Sequence, residues 1–496
     1  MNRPRLIARC SLVVVAVVLA AAPTFAAQTL QLVASEFGAA DGVFVPSRSA
    51  AIGSPNAVQN LTTMAYFSSL SAAVAAANSG DILEVNDMVL PEGQVLINKS
   101  LTIRGATGAE ELQASVNTGT SGDARGWLVI AAGVDVTIQD LSFDGTGFLV
   151  FQAIRFNGTG TVSNCSFNEI KYNPSGPQYA GTAIATSNVI TVNDCTFTEI
   201  GRVGVLLFGS GATGSVVDGL MYTGKGPGAW LDYGVEIGGG AHGTVRHARA
   251  TNNYGTGTGP DASAGLMVTS YFDTTGPPDS TGSFESCNVW DNAVGIGIGI
   301  IPPDISYGDV KLTRFVDNTV GLQADLDAII SSAENNWWGC NEGPDTADCD
   351  STFGPASLDT DPWLVLTLTP DSATLPQGAS TNVTASLNSN SDSADTSGLG
   401  TVIDGIGVGF GTDIGGVAPT TSSTAGGDAL TVFTAPGSSG IATVSSTVDY
   451  ETVTTPIEIT APQPSEAIPV LGSTGMLVFV LLIAVVGILV AYRRFV

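Results

Sequence analysis

Asp232, Glu236, His242 and His247 lie close together in the chain, beside Arg246 and Arg249, and they include both of its histidines. This is the one segment that gathers general-acid and general-base side chains. Two carboxyls ~5 to 9.5 Å apart could cleave a glycosidic bond, and Asp218 could join Asp232 and Glu236 on such a face. The competing reading is a set of solvated acids and turn histidines, which 45 acidic residues would supply by chance. The second reading is favoured, so no catalytic residue is assigned. A carbohydrate-active enzyme, hydrolase or lyase, is the alternative, with Asp232, Glu236, His242 and His247 as its cluster.

The cysteines divide into two groups. Cys165, Cys195 and Cys287 share one repeat register, just after a polar break, and should point inward as small core residues; a bridge between Cys165 and Cys195 is the alternative. Cys340 and Cys349 flank the turn Gly343-Pro344. In an oxidising compartment they should form a disulfide that stabilises by roughly 2 to 3 kcal/mol. No cofactor or metal is expected: Gly238-Gly239-Gly240 and the run from Gly295 to Gly299 precede no amphipathic helix, and Asp-rich calcium repeats are absent.

The elements that position these residues follow from periodicity. Taking Ile138, Val162, Val192, Val216, Val245, Phe284 and Leu312 as equivalent, the intervals are 24, 30, 24, 29, 39 and 28 residues. Each unit alternates apolar and polar residues and cannot bury its apolar side alone, whereas stacked coils bury a continuous interior. Open ends of such a solenoid invite strand addition and must be closed. Leu70, Ala73, Val74 and Ala77 fall at helical spacing after Ser68-Ser69 and predict a short N-terminal plug ending by Gly80. At the other end Trp337 and Trp338 are expected to cover the last coil.

The strings from Phe67 to Val74, Gly80 to Val85 and Ile97 to Gly105, with Asn335 to Pro344 at the far end, resemble right-handed parallel β-helix proteins of the pectate-lyase-like and NosD-like superfamily. That resemblance covers 60–365. The echo of polygalacturonases at Ala241-His242-Gly243 lacks their Asp pair and Arg-x-Lys element.

From Leu364 six short Thr- and Ser-rich strands suggest a β-sandwich. They are read at 364–369, 381–387, 405–410, 429–434, 441–448 and 456–460. The order of its motifs, from Ala394 to Gly398, Gly405 to Phe410 and Ala442 to Val448, resembles a bacterial Ig-like domain of intimin and invasin type, assigned to 366–461 and read as a spacer. The fold class is thus all-β, with a helix at the C-terminus.

Both chain ends speak of export. Residues 1–27 carry Arg3, Arg5 and Arg9, an apolar run and small residues, the order of a signal peptide. A Pro-rich linker, 462–474, leads to an uncharged stretch at 475–492, long enough for a membrane span, and then to the basic tail 493–496 with Arg493 and Arg494, which orients the body outward. Ile468, Pro469, Val470 and Leu471 before that helix and the Arg pair resemble an IPTL-CTERM sorting signal of Gram-negative surface proteins, with Val470 in the place of Thr. That resemblance implies a sorting and processing enzyme as partner. A formal charge of -28 repels phosphate backbones and excludes nucleic acid. The expected function is a non-enzymatic, membrane-anchored surface protein that contacts polysaccharide or a host or neighbouring cell.

Overall fold

The computed structural model describes residues 53–172, 180–255, 263–269, 279–299, 305–325, 328–461 and 473–493. The signal peptide, the motif Ile468 to Leu471 and Arg494 lie outside the described residues.

Alternation of apolar and polar side chains winds the chain into a parallel β-helix with three long sheets, A, B and C, of twelve, nine and ten strands. Register is kept from coil to coil: Ile138, Val162, Val192, Val217, Val245, Phe284 and Val310 stack on sheet A. Two members of the expected series are therefore displaced. Val217 takes the place of Val216 and Val310 that of Leu312, because the break between sheets A and B is fixed by backbone conformation rather than by residue type.

From the third coil onward that break is a turn whose first residue is left-handed: Asp140, Asn164, Asp194, Gly219, His247, Ser286, Leu312 and Asn335 all have φ between 49° and 71°. Asn, Asp, Gly and His adopt this region with least penalty, and a bulky Leu does not. The residue after each turn points inward, which places Cys165, Cys195 and Cys287 in the core as free thiols. Inside sheet B, Phe143 stacks on Phe167 at 4.8 Å between ring centres, and Phe167 on Phe197 at 5.1 Å.

The N-terminal end is plugged by the helix Leu70–Ala76, with Ser69 as its N-cap and Leu70, Ala73 and Val74 buried. The buried Glu92 adds what the sequence pattern did not show: its Oε2 accepts from the Leu70 N–H at 2.6 Å.

At the C-terminal end the two tryptophans divide their work. Trp338 faces the interior and stacks on Phe315 at 4.5 Å, whereas Trp337 turns the other way and joins a core cluster with sandwich residues such as Leu364, Phe410 and Val448. Successive residues in extended chain point to opposite sides, so only one of an adjacent pair can close the coil. Cys340 and Cys349 are disulfide-bonded with Cα atoms 5.3 Å apart.

The sandwich has two sheets, of four and five strands, which include three short strands that the sequence pattern did not separate, Thr374–Pro376, Gly416–Ala418 and Thr421–Ser423. It is docked on the last coils. Its hairpin tip places Asp449 against Arg314, whose Nε donates to Oδ2 at 2.9 Å, and against Trp337, whose Nε1 donates to the same oxygen at 2.7 Å. The strained Leu312 packs in this seam, and a side chain at Gly400 would come within 2.8 Å of it.

The C-terminal helix Ser473–Tyr492 has no acidic residue in its first turn and no basic one in its last. Its described side chains, 476–491, are all exposed. Among the described residues, no helix is long and apolar enough to cross a membrane.

Candidate functional site

The four residues of the sequence cluster are spread over different parts of a coil. Glu236 lies in the sheet C strand Tyr233–Gly238, His242 opens the sheet A strand His242–Arg246, and His247 is the left-handed residue of the following turn. Asp232 sits just before the sheet C strand, where Tyr222 donates its hydroxyl to it.

Sheet C explains the fate of the two acids. Its strands Gly126–Ile130, Gln152–Phe156, Thr182–Thr186 and Tyr233–Gly238 are buried on both faces, and Val203, Leu206, Tyr233 and Met267 form a second apolar cluster apart from the central core. Glu236 is only 1% exposed and accepts from Arg202 Nη2 at 3.3 Å. Burial raises its carboxyl pKa, and the Arg202 charge opposes the rise. Asp232, fully buried, accepts from the Lys225 N–H at 2.8 Å and pairs with Lys225 Nζ at 3.1 Å. Burial raises Asp232 and lowers Lys225. Each acid is thus neutralised by its own buried cation, which suits support of the covered sheet.

The histidines face solvent. His242 Nε2 is 3.1 Å from the Asp279 carbonyl, and His247 Nδ1 is 2.7 Å from Asp218 Oδ1. Asp218 also pairs with Arg246 at 3.1 Å. These contacts order the turn and its neighbouring coil.

What the coils do align is a set of outward polar columns. On sheet B, Ser142, Ser166, Thr196, Met221, Arg249, Asn288 and Arg314 stack in register. Beside them run Asp144, Asn168, Thr198, Thr223, Thr251 and Trp290. Sheet A presents Thr137, Thr161, Thr191, Val216, Thr244 and Ser283 in the same manner. Adjacent rungs lie ~4.8 Å apart, so sheet A offers regularly spaced hydroxyls, and sheet B hydroxyl and amide groups with two arginines and Asp144 among them. The repeat register made these columns legible in the sequence; the covering of sheet C was not.

No protein-family model matches the chain, and no curated protein matches it. Among solved structures it is similar to the D0-D1 domain of intimin, at 16% identity over 21% of this chain and 51% of that one, with a TM-score of 0.16. It is also similar to a C-terminal 282-residue fragment of intimin in complex with the intimin-binding domain of the translocated intimin receptor. Identity there is 19% over 19% of this chain and 32% of that one, and the TM-score is 0.15. A glycosyl hydrolase family 2 member from Bacteroides cellulosilyticus matches at 18% identity over 19% of this chain and 14% of its own, with a TM-score of 0.17. The chain spans about half or less of each of these structures. At such scores they carry no argument about function.

Proposed function

We propose that this chain is an exported, membrane-anchored surface protein of a Gram-negative-type bacterium, whose β-helix binds polysaccharide, on a neighbouring or host cell, without catalysis. The observation that carries the reading is the set of polar columns on sheets A and B. Sheet A stacks hydroxyls at Thr137, Thr161, Thr191, Thr244 and Ser283, and sheet B stacks Ser142, Ser166 and Thr196 before Met221 and Arg249, which suits an extended ligand held by many weak contacts. The isolation of Glu236 and Asp232 in separate buried ion pairs favours binding over glycoside cleavage. Anchoring is supported by the helix Ser473–Tyr492, whose side chains from Met476 to Val490 include thirteen large apolar groups at 50% exposure or more, a surface that lipid would cover. The signal-like 1–27, the motif Ile468 to Leu471 and the following Arg493 and Arg494 add a sorting and processing enzyme as a partner.

The test presents the full-length chain, in detergent micelles, to a glycan array and assays the same glycans for released sugars. Retention of a polysaccharide with no release is expected. Release of sugar that is lost in Glu236→Gln or Asp232→Asn, with circular dichroism unchanged, would replace this reading with the enzymatic one. Protease added to spheroplasts should digest the body of the chain, and complete protection would refute the topology.

A further inference from the structure

The turn column between sheets A and B has one rung without a side chain, Gly219, with Asp194 one rung before it and His247 one rung after. A Cβ at Gly219 would lie 2.4 Å from Asp194 Oδ1, so glycine leaves a dent that the carboxylate overhangs. The dent opens into a cavity of about 310 Å³ with Thr196, Met221 and Arg249 of sheet B in its lining. A second cavity, of about 460 Å³, shares His247 and Arg249 with the first and is walled by the sandwich loop from Gly400 to Asp404. That wall is fastened to the rod: Ser286 Oγ donates to the Thr401 carbonyl at 2.6 Å, and Arg249 Nη2 to the Asp404 carbonyl at 2.6 Å. The two cavities meet at His247 and Arg249 and follow one another along the rungs, the second ending against the sandwich loop, so together they make a junction groove. Its size is that of a small-ligand site.

The polar groups define the occupant. Arg246 is paired with Asp218 and Lys311 with Glu285, at 3.1 and 3.6 Å. Asp404 turns its carboxylate to the Gly426 N–H of the sandwich, at 2.7 Å, which leaves Arg249 and Asp194 as the charges on the coils themselves. Arg249 Nε and Nη1 have no partner among the described residues, nor does the exposed Asp194 carboxylate. A carboxylate only accepts, so His247 Nδ1 donates to Asp218. Donor and acceptor groups thus both stand beside the apolar Met221, which is 51% exposed. Hydroxyl groups both donate and accept, and a pyranose ring carries an apolar face. An anionic sugar would meet Asp194 unpaired, and a cationic one Arg249.

We infer that this junction groove binds the terminal sugars of an uncharged glycan, with the chain running along sheet B and its end stopped by the sandwich loop. The inference rests on the polysaccharide-binding reading and narrows it from the whole rod to one end-binding site. The rung spacing of ~4.8 Å is of the order of one sugar unit, so successive sugars meet successive rungs of sheet B, here Thr196, Met221 and Arg249.

The experiment takes the full-length chain in detergent micelles and the best-retained neutral glycan from the array, and measures affinity for wild type, Asp194→Ala, His247→Ala, Met221→Trp and, three rungs away on the same column, Ser142→Trp. The first two change exposed side chains outside the core, and circular dichroism monitors folding of all four. Asp194→Ala and His247→Ala should each weaken binding about tenfold. Met221→Trp should weaken it at least as much by filling the groove, and Ser142→Trp should change it less than about threefold. Affinity unchanged in the three groove variants, or lost equally in Ser142→Trp, overturns the end-binding site while leaving polysaccharide binding in place. Failure of wild type to retain any glycan overturns the broader reading, and this one with it.

Discussion

The two ends of the β-helix are closed by different means. At the N-terminal end the plug is local: the antiparallel strands Val58–Asn60 and Ala65–Phe67 cover the edge of sheet A, and the helix Leu70–Ala76 follows directly. Its polar supports, Ser69 and Glu92, lie within the first coils. At the C-terminal end the closure is assembled from distant parts. Trp338 and the Cys340–Cys349 bond finish the interior, but Arg314 and Trp337 find their carboxylate 135 and 112 residues onward, at Asp449. A local plug can form as the first coil forms, whereas a remote one ties the last coils to the folding of a second unit. Stability in a solenoid is mostly nearest-neighbour, so a lesion at either end should stay near that end.

The largest effect is expected for Trp338→Ala. Losing a buried indole stacked on Phe315 should cost about 3 to 5 kcal/mol at the C-terminal end, seen in denaturant as early exposure of the last coils; an unchanged midpoint would contradict the assignment of Trp338 to the interior. Asp449→Ala should cost about 3 kcal/mol, because it strips the acceptor from the Arg314 guanidinium and the Trp337 indole together. The joint unfolding of rod and sandwich should then divide into two calorimetric transitions. If it stays single at the same temperature, the seam does not couple them.

A third change acts through pH. Asn253, Asn292 and Asn318 form an amide ladder that ends on Asp350, and burial pushes the Asp350 carboxyl from 3.8 to about 7. A carboxyl raised in the folded state holds its proton more tightly there than when unfolded. Its contribution is complete below pH ~4 and is lost progressively as pH rises through about 7, on the order of 4 kcal/mol in all. The last coils should therefore be more stable at pH 5 than at pH 8, and Asp350→Asn should remove its share of that difference. An undiminished pH dependence in the variant would assign the effect elsewhere. The smallest effect belongs to the other end: Ser69→Ala removes the cap on the Ala72 N–H, should cost about 1 kcal/mol, and should speed hydrogen exchange over 70–76 while leaving the sandwich seam unaltered. Faster exchange at the seam would mean that the two ends communicate.

The same division governs what the sequence discloses. Local patterns were legible: the repeat, a cap at Ser68 or Ser69 that the structure assigns to Ser69, the Cys340–Cys349 pair, and the inward register of Cys165, Cys195 and Cys287. The register slipped at Val216 and Leu312 because the turn is set by a left-handed residue, and Leu at that position carries no signal for it. Asp449 could not be matched to Arg314 across 135 residues of intervening chain. Glu236 and His247 are near in sequence, yet one belongs to a sheet buried on both faces and the other to a solvent-facing turn, a distinction that depends on what covers sheet C. The junction groove escaped for the same reason, since its wall is a loop of the sandwich.

The constancy of the turn column has a hereditary consequence. Ser142 and Ser166 occupy equivalent places 24 residues apart, so the intervening codons form a cassette that begins and ends in the same phase. Tandem duplication of that cassette inserts one complete rung, and its deletion removes one, while the plug at one terminus and the docked sandwich at the other keep their own neighbours. Rod length is in this way a trait that unequal recombination can adjust among descendants, setting how far from the sandwich the outermost coil is presented.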